Sequence, residues 1–378
     1  MVSPIVDIQR LREIRAAGHD LRGAVLVGLD LTEPDDDRLL RTALDGALLL
    51  GCRLTPASMA RAEAAGVLLF PEIPDLPYRP YRSTLYPPEE LFAGFDPDRP
   101  ESYADTMDAR VYRHVRAEGE QPGPVAALSR RLHDHGIAEA LHDMLAGAGR
   151  PVAVMGGHEL TRDSAGYRAA AELGRALGRS PAGFTVLTGG GPGAMEAVPL
   201  GVRLSEQEDS ALDDALAILA GAPVFGHGST VDNVTIGRWL AAAGRVPLPE
   251  PDRPRTIGIP TWFYGHEPPN TFCSLHAKYF ANSVREDGLL TVATGGVVYT
   301  PGSAGTVQEV FQDYTGNHYS SSGPPAPMVF LDKDFWMNEV PAAPLVQQLA
   351  KGRESERWIL VTDDRDEAVA LLEDYARG

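Results

Sequence analysis

Two glycine-rich turns in this chain have residue types suited to holding a phosphate. The first is Gly189-Gly190-Gly191-Pro192-Gly193, the second is Pro301-Gly302-Ser303-Ala304-Gly305-Thr306, and each follows a short apolar segment. A glycine turn that leads from a strand into a helix directs several backbone N–H groups, and the positive end of the helix dipole, at one point. We therefore interpret the two turns as the phosphate-binding loops of one nucleotide site.

A glutamate follows the second turn at helical spacing. Thr306 and Glu309 are three residues apart, so they share a helix face and can address two ends of one ribose phosphate. Cleavage of a glycosidic bond passes through an oxocarbenium-like state, which a carboxylate stabilises while it or another carboxylate orients the attacking water. The same Thr-x-x-Glu spacing also fits a capping box, in which Glu309 only closes the helix N-terminus. The residues alone leave both interpretations open.

The segments that must position these turns alternate between short apolar runs and helical patterns. Strands are predicted at residues 152–155, 184–187, 256–259, 297–300, 328–331 and 358–361, with helices at 165–177, 193–204, 211–219, 234–243, 276–285, 305–314 and 366–376. Alternation of this kind is typical of βαβ units. The fold class that we predict is α/β, with a Rossmann-like, doubly wound parallel sheet.

The chain of 378 residues is long for one domain, so we expect more than one. Residues 23–71 predict a smaller α/β unit with helices at 38–50 and 56–65, and no internal repeat is evident. A proline-rich connector follows at residues 71–100. The predicted organisation is an N-terminal α/β domain with its connector at 1–104, a helical linker at 105–147 and a Rossmann-like nucleotide-binding domain at 148–378.

Composition restricts the partners and the compartment. A formal net charge of −18 argues against a nucleic-acid or anionic-membrane partner, whereas local N–H donors still allow a phosphorylated small molecule. Cys52 and Cys273 are too few for a disulfide framework or a thiolate metal site. Neither a signal peptide nor an apolar run long enough for a membrane span is recognisable. We expect a cytoplasmic protein.

The two turns partly resemble two other nucleotide-binding patterns, the dinucleotide-binding glycine motif and the Walker loop. Gly189 to Ala194 fits the G-x-G-x-x-A pattern of dinucleotide-binding folds. In those folds the turn follows the first strand, whereas here a complete strand and helix precede it. A Walker loop requires a lysine before Thr306, and the chain has none there. An NAD(P) oxidoreductase therefore remains an alternative, and a Walker-type NTPase is disfavoured.

Several ordered motifs carry a family resemblance over roughly residues 152–313 and the closing strands. Gly302-x-x-Gly305-Thr306-x-x-Glu309, after Pro301, resembles the P-G-G-x-G-T-x-x-E motif of the LOG family, the cytokinin riboside 5′-monophosphate phosphoribohydrolases often labelled lysine decarboxylases. Three further motifs are similar to those of the bacterial pyrimidine/purine nucleotide 5′-monophosphate nucleosidases. They are Gly156-Gly157-His158, the run from Gly191 to Ala197, and Glu267-Pro268-Pro269-Asn270.

The resemblance implies a LOG-like Rossmann core and an activity. The activity is metal-independent hydrolysis of the N-glycosidic bond of a nucleoside 5′-monophosphate, giving free base and ribose 5-phosphate. No organic cofactor is implied, and the partner is a nucleoside monophosphate or a related phosphorylated small molecule. Members of the family are dimers or larger, so the resemblance also implies a homodimer or higher homo-oligomer.

The resemblance also implies site residues. The family's catalytic glutamate falls on Glu309, and its helical arginine falls in the region of His276-Ala277-Lys278-Tyr279, so the positive charge is expected from Lys278, or from Arg285 further along. Substrate binding is expected from Gly157, His158, Gly190, Gly191, Gly193, Met195, Glu196, Asn270, Gly302, Ser303, Gly305 and Thr306.

Some of these residues also have structural interpretations. His158 could be a structural hydrogen-bonding group, Asn270 a turn residue, and Glu196 a complement to a helix dipole. The absent arginine, together with Ser303 where the family has glycine, favours a second hypothesis. In it the chain is a catalytically weak nucleotide-binding sensor or regulatory protein of the same fold.

Overall fold

The structure is a computed structural model that describes residues 4–119, 121–226, 232–250, 253, 255–263, 267–321 and 323–378. The chain divides into two compact units. The N-terminal unit comprises Met1–Thr84 and Gln121–Ala140, and the main unit comprises Leu85–Glu120 and Leu141–Gly378. The three-part domain organisation expected from the sequence stays a prediction.

The N-terminal unit stacks short parallel strands in a repeat. Its strands are β1 (Val25–Val27), β2 (Asp30–Leu31), β3 (Leu48–Leu50), β4 (Arg53–Leu54) and β5 (Leu68–Phe70), and its helices are α1 (Ile8–Ala16), α2 (Pro34–Asp37) and α3 (Pro56–Ala64). The order β1-β3-β5 forms one sheet and β2 pairs with β4. Residues 25–31 and residues 48–54 therefore have the same order of two strands and pair with each other in parallel. We call each of these two segments a rung. The expectation that the chain lacks an internal repeat is wrong.

The helix predicted at residues 38–50 is also wrong. Only Arg38–Leu40 forms a helical turn, of the 3-10 type, and Leu48–Leu50 is strand β3. Leu49 pairs with Leu26 on one side and Leu69 on the other, so sheet pairing overrides the local helical composition. Leu26 and Leu49 are both buried in the core of this unit.

Gly28 and Gly51 hold equivalent positions in the two rungs and provide a matched prediction. Their φ angles are 64° and 61°. A Cβ on Gly51 would lie 2.6 Å from Cδ2 of Tyr81, whereas a Cβ on Gly28 would have no heavy atom within 4 Å. We expect Gly28→Ala to lower the free energy of unfolding by about 1 to 2 kcal/mol, through its left-handed backbone. Gly51→Ala should cost about 1 to 3 kcal/mol more, because the ring of Tyr81 must move.

Urea denaturation of both variants, with amide exchange at Leu26 and Leu49 as the reporter of this unit, measures the two costs. Equal losses for Gly28→Ala and Gly51→Ala would contradict the packing against Tyr81.

The main unit is built on a parallel sheet of seven strands. In spatial order they are β12 (Ile359–Thr362), β11 (Met328–Leu331), β10 (Gly296–Tyr299), β6 (Pro151–Met155), β7 (Thr185–Thr188), β8 (Thr256–Gly258) and β9 (Leu275–His276). Every pair of neighbours is parallel. β6, β7, β8 and β10 are buried along their whole length, as expected for strands covered on both faces. The predicted Rossmann-like, doubly wound α/β fold is confirmed.

The chain forms helices before, between and after the strands of this sheet. They are α4 (Pro88–Leu91), α5 (Met107–Glu118), α6 (Pro124–Ala146), α7 (Ala165–Arg179), α8 (Ala194–Arg203), α9 (Asp209–Leu219), α10 (Asn233–Gly244), α11 (Asn282–Val292), α12 (Ala304–Tyr319), α13 (Ala342–Ala350) and α14 (Arg365–Arg377). α6 contributes to both units, since the division falls after Ala140. No helix among the described residues combines the length and apolar character that a membrane crossing requires.

The helix predicted at residues 276–285 is wrong. His276 ends β9, where it pairs with Gly258, and its backbone also exchanges hydrogen bonds with Tyr86. Helix α11 begins only at Asn282. The consequence for the site is that Lys278 lies in an extended segment, while Arg285 lies in the first turn of a helix.

Candidate functional site

The centre of the sheet is a point at which the strand order reverses. The chain leaves β6 toward β7 on one side, and β10 lies on the other side of β6. In open α/β sheets such a reversal opens a crevice at the carboxyl ends of the two strands, where ligands bind. The loops that leave β6 and β10 run side by side here, since Thr300 N–H donates to the Met155 carbonyl at 2.8 Å and Gly157 N–H to the Pro301 carbonyl at 3.2 Å.

A cleft of about 220 Å³ lies at this point. Its described lining consists of Met155, Gly156, Gly157, His158, Gly189, Gly191, Met195, Pro260, Thr261, Glu267, Arg285, Glu286, Ser303, Gly305, Thr306 and Glu309. Both glycine turns contribute to this lining. The structure therefore brings together Gly157, His158, Gly191, Met195, Ser303, Gly305, Thr306 and Glu309 of the residues that the sequence predicted.

The second glycine turn presents the N-terminus of α12 to the cleft. Ser303 is the N-cap residue, and the first helical hydrogen bond runs from Val307 N–H to the Ser303 carbonyl at 3.1 Å. The N–H groups of residues 304–306 belong to the first turn of a helix and so have no carbonyl partner within it. Together with the helix dipole, they form a place where an anionic group is stabilised.

Glu309 lies further along α12 and faces a cation. Its Oε1 is 3.4 Å from Nη1 of Arg285, and the two side chains are 12% and 13% exposed. Burial raises the pKa of Glu309 above its usual range, and the nearby Arg285 guanidinium opposes that rise. Because α12 begins at Ala304, Thr306 lies inside the helix and is not its N-cap. The capping-box interpretation of Thr306 and Glu309 is therefore wrong.

Lys278 is oriented toward a different partner. Its Nζ lies 2.5 Å from Oδ1 of Asp108, and these two side chains are 1% and 4% exposed. Asp108 also accepts hydrogen bonds from Trp262 Nε1 at 3.0 Å and from the Tyr103 hydroxyl at 3.2 Å. Burial lowers the pKa of Lys278, and Asp108 opposes that change. Among the described residues, the cation beside Glu309 is Arg285, while a catalytic role for Lys278 stays a prediction.

Asn270 organises the first glycine turn. The side chain is fully buried, and its Nδ2 donates to the carbonyls of Gly191 at 3.1 Å and Met195 at 3.0 Å. Its Oδ1 accepts from the backbone N–H groups of Phe272 and Cys273. These four bonds use the hydrogen-bonding capacity of the amide. Contact between Asn270 and substrate stays a prediction, and the position described here is that of a turn-stabilising residue.

Gly193 joins the first turn to the loop after β6. It is the N-cap of α8 with φ of 70°, and a Cβ added to it would lie 2.5 Å from the Gly157 carbonyl oxygen. Only glycine fits this combination of left-handed backbone and close approach. Ala194 N–H then donates to the same carbonyl at 3.2 Å. Gly193 thus positions Gly157, although it lies outside the lining described for the cleft, as do Gly190 and Gly302.

Glu196 lies in the first turn of α8 and is held by three donors. Arg162 approaches its two oxygens at 2.5 and 2.9 Å, and the Tyr167 hydroxyl donates to Oε2 at 2.9 Å. Arg162 also donates to the Trp239 carbonyl at 2.9 Å. Burial, and then the Glu196 carboxylate, hold the pKa of Tyr167 well above its usual range. Glu196 therefore links α8 to α7 and to the loop that carries Arg162, and a ribose contact stays a prediction.

His158 and Glu267 face each other in the cleft. Nε2 of His158 is 3.9 Å from Oε1 of Glu267, and the side chains are 39% and 22% exposed. The pair lines the same cleft as Glu309.

No group of three or more His, Cys, Asp and Glu side chains within the described part of the chain could hold a metal ion.

Comparisons with known proteins add similarities of general architecture. No family model and no curated protein matches this chain. It is similar to TM1055, an X-ray structure from the Northeast Structural Genomics Consortium, with 19% identity and a TM-score of 0.37 over 60% of this chain and 99% of that one. It is also similar to the Moco carrier protein from Chlamydomonas reinhardtii, with 15% identity and a TM-score of 0.35 over 60% and 98% of the two chains. With TM-scores under 0.5, neither similarity bears on what this chain binds or does.

The cleft also contains residues that were not predicted to belong to the site. Glu267 begins the motif that ends at Asn270, but of these two residues only Asn270 was predicted to bind substrate. Thr261 follows the carboxyl end of β8, the edge at which ligands collect, and this position could have identified it. Glu286 neighbours Arg285 on α11 and carried no signal of its own.

Proposed function

We propose that the cleft hydrolyses the N-glycosidic bond of a nucleoside 5′-monophosphate, giving the free base and ribose 5-phosphate. The observation that supports this function best is that the N-terminus of α12 and the pair Glu309–Arg285 line one cleft. Phosphate binding and stabilisation of a ribosyl cation require those two features side by side. The motif resemblance to the LOG family supports the same reaction.

The chemistry follows from the positions of the groups. The 5′-phosphate binds the first-turn N–H groups of α12, near Ser303, Gly305 and Thr306. Glu309 lies three residues beyond Thr306, about 4.5 Å along the helix axis, and reaches the C1′ end of the ribose. Its carboxylate stabilises positive charge at C1′ and accepts a proton from the attacking water. The C1′–N bond breaks with its electron pair on the base, and the water oxygen bonds to C1′.

Arg285 keeps Glu309 in the ionised form that this mechanism requires. Burial is the largest cause that raises the pKa of Glu309, and Glu286 adds to that rise. The guanidinium of Arg285 opposes it by attraction and by a hydrogen bond. Arg285 is itself fixed by donation from its Nε to the Ile259 carbonyl at 2.8 Å. The sequence led us to expect a positive charge beside Glu309 from Lys278 or from Arg285. In this proposal Arg285 provides that charge.

We predict that Arg285→Met moves the acid limb of the pH profile of kcat to higher pH. Activity rises with pH as Glu309 ionises, and removing the cation removes an effect that lowers its pKa. Arg285→Lys keeps a positive charge and should move the limb less. Profiles of kcat against pH for the wild type and both variants measure the shift. An unchanged limb in Arg285→Met, or a shift to lower pH, would refute this role.

The proposed function is tested with a panel of nucleoside 5′-monophosphates and the matching nucleosides. We expect kcat/KM for the best nucleotide to exceed that for its nucleoside by about 1,000-fold or more, because the phosphate supplies the binding energy that orients C1′ against Glu309. Equal turnover of both would contradict the phosphate site. Binding of several nucleotides without cleavage of any would favour the sensor hypothesis instead.

A homodimer or larger assembly, which the LOG resemblance implies, is part of this proposal. Light scattering on the purified chain measures its mass in solution. A monomer that is fully active would remove the assembly from the proposal and leave the cleft chemistry intact.

A further inference from the structure

We propose that His158 is the general acid that protonates the leaving base, with Glu267 stabilising its imidazolium form. This inference rests on the proposed function, since it assigns the second proton transfer of the same reaction. Hydrolysis of an N-glycoside needs a group that neutralises charge on the departing base, as well as a carboxylate that stabilises the ribosyl cation.

The other charged groups in the cleft are poor proton donors. Each oxygen of Glu286 accepts a hydrogen bond, from Asn282 Nδ2 at 2.6 Å and from Gln308 Nε2 at 3.1 Å. Glu309 faces the Arg285 guanidinium, which cannot itself lose a proton.

His158 is placed to donate a proton. An imidazolium is the side-chain acid best suited to donating near neutral pH. In the part of the chain that the structure describes, the ring of His158 makes no hydrogen bond, and Glu267 faces its Nε2 at 3.9 Å. At that distance the carboxylate stabilises the positive charge without occupying the N–H in a direct hydrogen bond. The proton is therefore available to a substrate.

The position of His158 also fits the place where ribose and base meet. Beside the cleft lies a second cavity of about 290 Å³, whose described lining includes Leu160, Pro192, Phe225 and Trp239. His158 is the described residue that lines both cavities. A planar base suits apolar and aromatic walls. With the ribose phosphate in the cleft and the base in the second cavity, the glycosidic bond lies at His158.

Several charged groups surround His158 in the two cavities. In the second cavity, the neighbouring Glu159 is exposed, whereas Arg162 and Glu196 are paired with each other. On the cleft side, Glu267 faces the ring directly. The remaining charged groups of the cleft are Arg285, Glu286 and Glu309. Of these, Arg285 and Glu309 form an ion pair. Glu267 is thus the charged group for which the described residues show an ion-pair contact with His158, and Lys278 also interacts with Glu267 electrostatically.

The proton balance is complete with these groups. The C1′–N bond breaks and its electron pair moves to the base, which takes a proton from the His158 imidazolium. Water adds to C1′ and its proton passes to Glu309. Glu309 and His158 then return to their starting states by exchange with solvent, and no redox partner or further reactant is needed.

The test compares two leaving groups in His158→Gln. One substrate is the nucleoside monophosphate that the wild type cleaves best, and the other is 4-nitrophenyl β-D-ribofuranoside 5-phosphate, whose nitrophenolate departs without protonation. We expect His158→Gln to lower kcat on the nucleotide by about 100-fold or more, and by less than about fivefold on the nitrophenyl substrate. Glu267→Gln should lower kcat on the nucleotide by about tenfold. His135→Gln, which removes an exposed histidine of α6, is the control.

The outcomes distinguish the acid from the proposed function. A loss of turnover in His158→Gln that is confined to the nucleotide would support the proposed acid. An equal loss on both substrates would show a positioning role and overturn the proposal, as would an unchanged kcat on the nucleotide. A wild type that cleaves neither substrate would overturn the nucleotide hydrolase function itself.

Discussion

Glu309→Gln should remove most of the turnover and leave nucleotide binding in place. The amide keeps the size of the side chain but cannot stabilise a cation at C1′ or accept a proton from water. We expect kcat to fall by about 1,000-fold, the combined scale of losing a general base and an electrostatic group. The dissociation constant should stay within about threefold, because the phosphate is held by the N-terminus of α12. Steady-state kinetics and calorimetric titration measure the two quantities.

The control for Glu309→Gln is Glu339→Gln, which removes an exposed carboxylate outside the cleft lining. It should behave as the wild type in both measurements. If kcat of Glu309→Gln stays within tenfold of the wild type, Glu309 is not the catalytic carboxylate. If binding is lost in parallel with turnover, Glu309 acts in holding the substrate or the fold.

Lys278→Met is expected to have the largest effect on stability. It leaves the Asp108 carboxylate buried, with Trp262 and Tyr103 as its remaining side-chain donors among the described residues. Removing one partner of a buried ion pair costs about 3 to 5 kcal/mol, because the other charge remains without compensation. Urea denaturation of the wild type and Lys278→Met measures the loss.

The double variant Lys278→Met/Asp108→Asn separates this effect from lost packing. The amide oxygen still accepts from Trp262 Nε1, the amide N–H can donate to the Tyr103 hydroxyl oxygen, and no buried charge remains. Its cost should be smaller than the sum of the two single variants by about 1 to 3 kcal/mol. An additive cost would contradict coupling between Lys278 and Asp108.

The same variant tests the catalytic role that the sequence suggested for Lys278. We expect folded Lys278→Met to keep kcat within about fivefold of the wild type, since its ammonium faces Asp108 rather than the cleft. A fall in kcat of more than about 100-fold at unchanged stability would instead support catalysis by Lys278.

The sheet of the main unit was predictable where its strands are long and apolar. β6, β7, β10 and β11 are four or five residues of nearly continuous apolar sequence, which is the pattern of a strand buried on both faces. β9 has only two residues, and the sequence around it has helical composition. Its conformation is set by pairing with β8, which local sequence does not reveal. In the N-terminal unit β2, β3 and β4 were missed for the same reason, because two- and three-residue strands carry little periodicity.

The candidate site was predictable where function depends on contiguous residues. The turn Gly302–Thr306 and Glu309 belong to one strand, turn and helix, so their spacing fixes their relative positions. Arg285, Thr261 and Glu267 come from other segments, and only the fold brings them to the cleft. Asn270 and Glu196 show a further limit. The same amide or carboxylate serves a ligand or a scaffold, and burial, which is a tertiary property, decides its hydrogen-bond partners.

The central claim is that the cleft breaks the bond between base and ribose in a nucleoside 5′-monophosphate. Its most direct test is a product analysis of the wild-type chain with the nucleotide panel, in which free base, ribose 5-phosphate and inorganic phosphate are all quantified. We expect base and ribose 5-phosphate in a 1:1 ratio for at least one nucleotide, with no release of inorganic phosphate. Inorganic phosphate and intact nucleoside as the products, or no products from any nucleotide that binds, would contradict the claim.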